Sequence, residues 1–315
     1  MQKIIYPKRI NEGGTVGFFA PSDPVLPRRI EYVNKGIDLL KSWGFFPETI
    51  EDEVFNKWET LRTTQERITE FNSKLQNPKL DILIAVWGGK NSNDLLEKLD
   101  YGLIRKNNKP IIGTSDIAVL LNAITEHSRI VTFHGPNVLG KLNQTKETGL
   151  PFNNLSYSKI TQLLPKKDEC RIHTIQPGKS VGTLVGGSLG TFTLGLSGTK
   201  NMPSFEKIIF FFESASLDYY KTRQHLQHLK MTGFAKKVVG VIVGAMTKID
   251  KQEFEVFEKF LIDYFENKKI PILSTNAFGH GFYYNPTFPI GLRVTLNTES
   301  DNMLQPEDEL YESIR

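Results

Sequence analysis

The sequence predicts a protein of the α/β class, with an N-terminal domain built on a parallel sheet and a strand-rich, β-barrel-like C-terminal domain. Three observations predict it. Short β-rich runs alternate with helical periodicity through the first half, the pattern of strand-helix-strand units around a parallel sheet. From about Gly140 to Ser180 the periodicity fades while polar residues, Pro and Lys accumulate. Beyond that stretch, glycines and strand-like runs dominate. A chain of 315 residues suits about two domains, expected here at 1–145 and 181–315 with an interdomain connection over 146–180.

The elements follow in order. Thr15 to Ala20 reads as a buried strand, turned at Pro21-Ser22-Asp23-Pro24 into an amphipathic helix whose apolar positions are Ile30, Val33, Ile37 and Leu40. Phe45 to Ile50 is a second strand. Thr63 and Glu66 form a capping-box pattern that opens a helix running to Leu75, ended near Asn77-Pro78. The apolar run Asp81 to Val86 is a third strand, stopped at Gly88-Gly89, and Ser92 to Leu99 can form a short helix. Pro110 to Gly113 and Ile130 to Phe133 are further strands, separated by a helix from Ser115 to His127. In the second half, strands are expected at Gly182–Val185, Ile208–Phe212, Val238–Val243, Ile272–Leu273 and Leu292–Leu296. Helices are expected at Tyr219–Lys230 and Gln252–Asn267.

Composition excludes several classes. With 39 Lys+Arg against 35 Asp+Glu, the formal charge of +4 is too small and dispersed for a nucleic-acid or anionic-membrane partner. Cys170 is the single cysteine, which excludes an intrachain disulfide framework and any multi-cysteine metal site. Met1 to Asn11 carries no signal-peptide core, and no apolar stretch reaches 18 residues. A cytoplasmic protein is the expectation.

Ser115 stands where an apolar strand runs through Gly113-Thr114 into a helix, next to several unpaired backbone N–H groups. Two readings fit: a helix N-cap, or a nucleophile held out at the end of a sheet. A serine nucleophile needs a base and a carboxylate to orient it. His280, between Gly279 and Gly281, is either a turn residue or an imidazole brought to a site by tertiary contacts; His134, at the end of a strand, could also approach one. Glu213 ends the apolar run Ile208–Phe212, either where the strand meets solvent or as a functional carboxylate. Asp116 competes with it, but a helix dipole accounts for an acid in a first turn. The clusters Gly88-Gly89 and Gly186-Gly187 could each cradle an anion; neither has Walker or Rossmann spacing.

These segments, in this order, resemble the serine peptidase family of LD-carboxypeptidases (muramoyltetrapeptide carboxypeptidases), which includes the microcin C immunity peptidases. The blocks that carry the resemblance are the strand ending Ala20-Pro21-Ser22, Trp87 to Tyr101, Ile112 to Ile117, Thr132 to Pro136, Gly186 to Leu189, Phe211 to Ser214, Val241 to Gly244, and Phe278 to Gly281 with Phe288 to Gly291. The resemblance implies a triad of Ser115 as nucleophile, His280 as base and acid and Glu213 as its orienter. It also implies an oxyanion hole of the Gly89 and Asp116 backbone N–H groups, no metal or cofactor, and a homodimer. The substrate implied is a peptide or muropeptide, with a peptidyl-nucleotide or related aminoacyl compound as the microcin-type alternative. A member without activity would bind such peptides only. The chain departs from the family pattern at Thr114, at Trp87 before the double glycine, and at Tyr220 to Arg223 after the glutamate. Trp87 and Arg223 are the substrate-binding candidates.

Overall fold

In the computed structural model, which describes residues 3–8, 10, 13–139, 163–165, 169–265, 268–280 and 286–307, the chain builds two sheets. The first contains β1 (Thr15–Phe19), β2 (Phe46–Pro47), β3 (Ile82–Ala85), β4 (Ile111–Gly113) and β5 (Thr132–His134), in the order β2-β1-β3-β4-β5 and all parallel. Beyond β5 lies β11 (Phe288–Ile290), antiparallel and contributed from far along the chain. The helices among these strands are α1 (Ile30–Ser42), α2 (Asp52–Trp58), α3 (Thr64–Gln76), α4 (Tyr101–Asn107) and α5 (Ile117–Ser128).

Residue alternation explains how this sheet is covered. On β1 and β3, Val16, Phe18, Ile82 and Ile84 join one apolar cluster with Val33 and Leu40 of α1. Phe19, Leu83 and Ala85 face the other way, into a cluster with Ile68 and Phe71 of α3 and Ile117 and Leu121 of α5. Strands buried on both faces carry continuous apolar runs, which is how these read in the sequence.

The second sheet has the order β13-β12-β7-β8-β9-β10-β6. Its centre, β7 (Lys179–Ser188), β8 (Ile208–Ser214), β9 (Val238–Met246) and β10 (Ile272–Thr275), is parallel. The flanking β6 (Ile172–Gln176), β12 (Arg293–Asn297) and β13 (Leu304–Pro306) pair antiparallel. Among the described residues three α-helices follow its strands: α6 (Leu189–Leu196), α7 (Tyr219–Met231) and α8 (Lys251–Tyr264). The cluster below the first sheet continues without a break into this one through Val185, Phe192, Phe211 and Ile242. Among the described residues no helix is long and apolar enough to cross a membrane.

Several expectations change. The strand expected over Phe45–Ile50 shrinks to two residues, because Pro47 has no donor and Phe46 is exposed at the sheet edge. Ser92–Leu99 gives only a 3₁₀ turn at Ser92–Leu95. Much of the expected interdomain connection, 146–162 and 166–168, lies outside the described residues, while β6 within that stretch is an edge strand of the second sheet. Gly186-Gly187 is no anion cradle. Gly187 has φ 140°, and a Cβ there would stand 2.4 Å from the Cβ of Ala118 on α5, so the glycine lets the two halves of the molecule touch.

Candidate active site

The first sheet reverses its order at β1, placing a crevice at the carboxyl ends of β1, β3 and β4, the usual ligand position in open parallel sheets. A cavity of about 770 Å3 opens there, lined among others by Asp23 after β1, Trp87 and Gly89 after β3, Ser115 after β4, and His280.

Ser115 is not a helix cap. It has φ 62°, in the left-handed region, and α5 starts two residues later with Asp116 as its N-cap. The turn is held from one side by Asn137, whose Oδ1 accepts from the Thr114 N–H at 2.9 Å and whose Nδ2 donates to the Thr114 carbonyl at 3.3 Å. Thr114 Oγ1 lies 3.1 Å from His134 Nε2, so the buried His134 engages the residue before the serine.

Glu213 sits on β8, 1% exposed, deep in the second sheet. Its Oε2 accepts from the backbone N–H of His280 at 3.2 Å and lies 2.6 Å from His280 Nδ1. A carboxylate accepts hydrogen bonds and donates none, so Nδ1 carries a proton, and in the neutral ring Nε2 then presents its lone pair. Nε2 lies 3.2 Å from Ser115 Oγ. Gly279, at φ 116°, makes this placement possible: a Cβ there would come within 2.6 Å of Ala245 Cβ and 3.2 Å of Glu213 Cβ. Three residues separated by 98 and 67 positions thus meet within hydrogen-bond reach, Ser115 from the first sheet and the other two from the second.

The Gly88-Gly89 loop runs against the serine; a Cβ on Gly88 would lie 3.2 Å from Ser115 Cβ and 3.5 Å from the Asp116 nitrogen. Asp23 fastens it, its Oδ1 accepting from Lys90 N at 3.0 Å and Asn91 Nδ2 at 2.5 Å. The Asp116 carboxylate has a task beyond the helix dipole: it is buried and accepts from Ser22 Oγ at 2.5 Å and Ser92 N at 2.8 Å, while Ser92 Oγ donates to the Asp116 carbonyl at 2.8 Å. Both candidate oxyanion donors, Gly89 N–H and Asp116 N–H, therefore belong to segments pinned to one another.

Trp87 lines the cavity, with the Arg29 guanidinium 4.2 Å above its ring. Arg223 does not line it: on α7 it stacks over Phe260 at 4.8 Å and Tyr219 at 5.5 Å. His127 bonds Asn201, His173 pairs with Glu258, and burial pushes the His225 imidazole below its usual pKa; none of them lines the cavity. Among the described residues no group of His, Cys, Asp or Glu could hold a metal ion.

Residue-type reasoning missed Asn137, Asp23, Arg29 and the partnership of Ser22, Ser92 and Asp116. For Ser22 and Asp23 the sequence signal is the polar, proline-rich turn Pro21-Ser22-Asp23-Pro24 at the carboxyl end of β1.

Comparison with known proteins gives a consistent result. Family models described as the LD-carboxypeptidase N-terminal domain and the LD-carboxypeptidase C-terminal domain match residues 16–135 and 181–296. The microcin C7 self-immunity protein MccF of Escherichia coli is 27% identical, over 92% of this chain and 92% of its own. A probable murein peptide carboxypeptidase of Bacillus subtilis is 26% identical, over 93% of this chain and 91% of its own. The apo structure of wild-type MccF superposes with a TM-score of 0.82 at 24% identity, covering 98% of this chain and 100% of that one, and so shares the fold.

Proposed function

We propose, from the premise that this chain belongs to the LD-carboxypeptidase family and is a serine-type carboxypeptidase, that Ser115, His280 and Glu213 hydrolyse the L,D-peptide bond of a murein tetrapeptide and release D-alanine. The observation that carries this reading is the unbroken hydrogen-bond line from Glu213 through His280 to Ser115. Ser115 Oγ attacks the scissile carbonyl carbon as His280 Nε2 takes its proton, and Glu213 holds the imidazole in the tautomer that can accept it. The Gly89 and Asp116 N–H groups receive the negative oxygen of the tetrahedral intermediate. As the C–N bond breaks, His280 protonates the departing amine; water, deprotonated by His280, then hydrolyses the ester and returns Ser115. On family grounds the enzyme works as a cytoplasmic homodimer.

The second reading is a microcin-immunity-type substrate, an aminoacyl or peptidyl nucleotide, which Trp87 in the cavity wall favours as a stacking surface. Mass spectrometry after incubation with murein tetrapeptide and with an aminoacyl sulfamoyl adenosine tests both. Release of D-alanine is expected from the tetrapeptide, with Ser115→Ala slower by on the order of 10⁴-fold or more. Cleavage of the nucleoside compound alone selects the second reading. Turnover unchanged in Ser115→Ala overturns the serine mechanism.

A further inference from the structure

We infer that Arg29 receives the free carboxylate at the substrate's end, which makes the enzyme selective for free acids. The inference rests on the proposed hydrolysis. Arg29 lines the same cavity as Ser115 and His280. Its guanidinium carbon lies 4.2 Å from the centroid of the Trp87 ring, a cation–π contact that holds the group on the cavity wall.

Nothing else in the described structure uses that charge. Glu31, the nearest acid along the helix, pairs with Lys35 at 2.6 Å, and Asp23 accepts from Lys90 N and Asn91 Nδ2. Local structure does not call for a cation here either. Arg29 is the N-cap of the thirteen-residue α1 and makes no side-chain capping bond, and a helix N-terminus disfavours positive charge. The Trp87 ring is thus the contact that holds Arg29, and among the described residues no acid neutralises the charge it brings to the cavity. A planar, half-buried guanidinium fork matches a carboxylate, which it can hold through two parallel hydrogen bonds. Lys90, the other cation on the wall, is exposed and hydrated, and Arg223 is engaged with Phe260 and Tyr219 outside the cavity.

The test compares the murein tetrapeptide with its C-terminal D-alaninamide in wild type, Arg29→Met, Arg29→Gln, Arg29→Lys and Lys90→Met. Fluorophosphonate labelling of Ser115 in each variant reports an assembled site. Wild type is expected to favour the acid. In Arg29→Met and Arg29→Gln the acid-to-amide ratio of kcat/KM falls roughly 10- to 100-fold, the factor for one charged hydrogen-bonded pair, with the change in KM for the acid. Arg29→Lys recovers part of it, and Lys90→Met keeps the ratio within about threefold, as for a solvated charge. Absence of Ser115-dependent D-alanine release in wild type overturns the proposed reaction, and this inference with it. Release with a ratio that neither Arg29→Met nor Arg29→Gln moves, while labelling persists, overturns the role of Arg29 alone. So does a ratio that collapses in Lys90→Met.

Discussion

Ser115 holds a backbone conformation at φ 62° that a non-glycine residue adopts at a cost of about 1–3 kcal/mol. The clamp of Asn137 on both polar atoms of the Thr114 backbone enforces it, and the result is a hydroxyl aimed at His280 Nε2. Strain at one residue is thus exchanged for position. Two variants that both lack the hydroxyl separate these effects: Ser115→Gly relieves the strain and Ser115→Ala keeps it, so Ser115→Gly is expected to be the more stable by about 1 kcal/mol. Urea midpoints with equal slopes measure the difference, and equal midpoints would remove strain from the account. At the same scale, Cys170 is buried against Thr275, and burial raises its thiol pKa. The thiolate is the reactive form, so a raised pKa leaves less of it at neutral pH. Native protein is expected to react with Ellman's reagent far more slowly than protein unfolded in guanidinium; comparable rates would contradict the buried placement.

Elements were legible in the sequence where burial shows as an apolar pattern, and illegible where small or half-exposed residues interrupt it. α3 announced itself through Thr63 and Glu66, and the structure contains the full box: the Thr63 side chain accepts from Glu66 N, and the Glu66 carboxylate accepts from Thr63 N at 2.8 Å. Thr63→Ala is expected to lower stability by about 1 kcal/mol while leaving hydrolysis intact, measured by thermal melts beside an activity assay. β3 and β8 were readable because both faces are buried and the apolar run is unbroken. α6 was not, since Leu189, Phe192 and Leu196 are spaced among Gly and Thr that look like a loop; its small residues serve close contact with α5, where Gly195 would bring a Cβ within 2.8 Å of Val119. The edge strands β6 and β13 carry half-exposed, mixed residues that no alternation sets apart from a loop. The site divides the same way. Ser115, Glu213 and His280 were suspect because each sits oddly in its own segment. Asn137 is ordinary in its segment, and it and Arg29 acquire meaning from what the fold places beside them: the Thr114 backbone and the Trp87 ring.

At the scale of the molecule, the proposed triad requires one sheet system to be seated on the other. Ser115, the proposed nucleophile, belongs to the turn before α5, and Glu213, the proposed orienter of the base, belongs to β8, paired with β7 so that Ser188 stands beside Glu213. Between them, Gly187 of β7 meets Ala118 of α5, three residues beyond Ser115, in a space with no room for a second methyl group. A methyl added at Gly187 is therefore expected to push α5 away and lengthen the 3.2 Å approach of Ser115 to His280. Displacement of that order costs catalysis about 100-fold, and Gly187→Ala is expected to lose roughly that much in kcat/KM with its far-UV circular dichroism unchanged. The steric origin can be isolated, because Ala118→Gly removes the opposing methyl. The double variant should regain a large part of the lost activity, giving a non-additive cycle for two residues in contact. It should not regain all of the stability, since alanine at φ 140° remains strained whatever faces it. A double variant as slow as Gly187→Ala alone would mean that the contact does not transmit to the triad, and that Ser115 and His280 are kept together by other parts of the shared core.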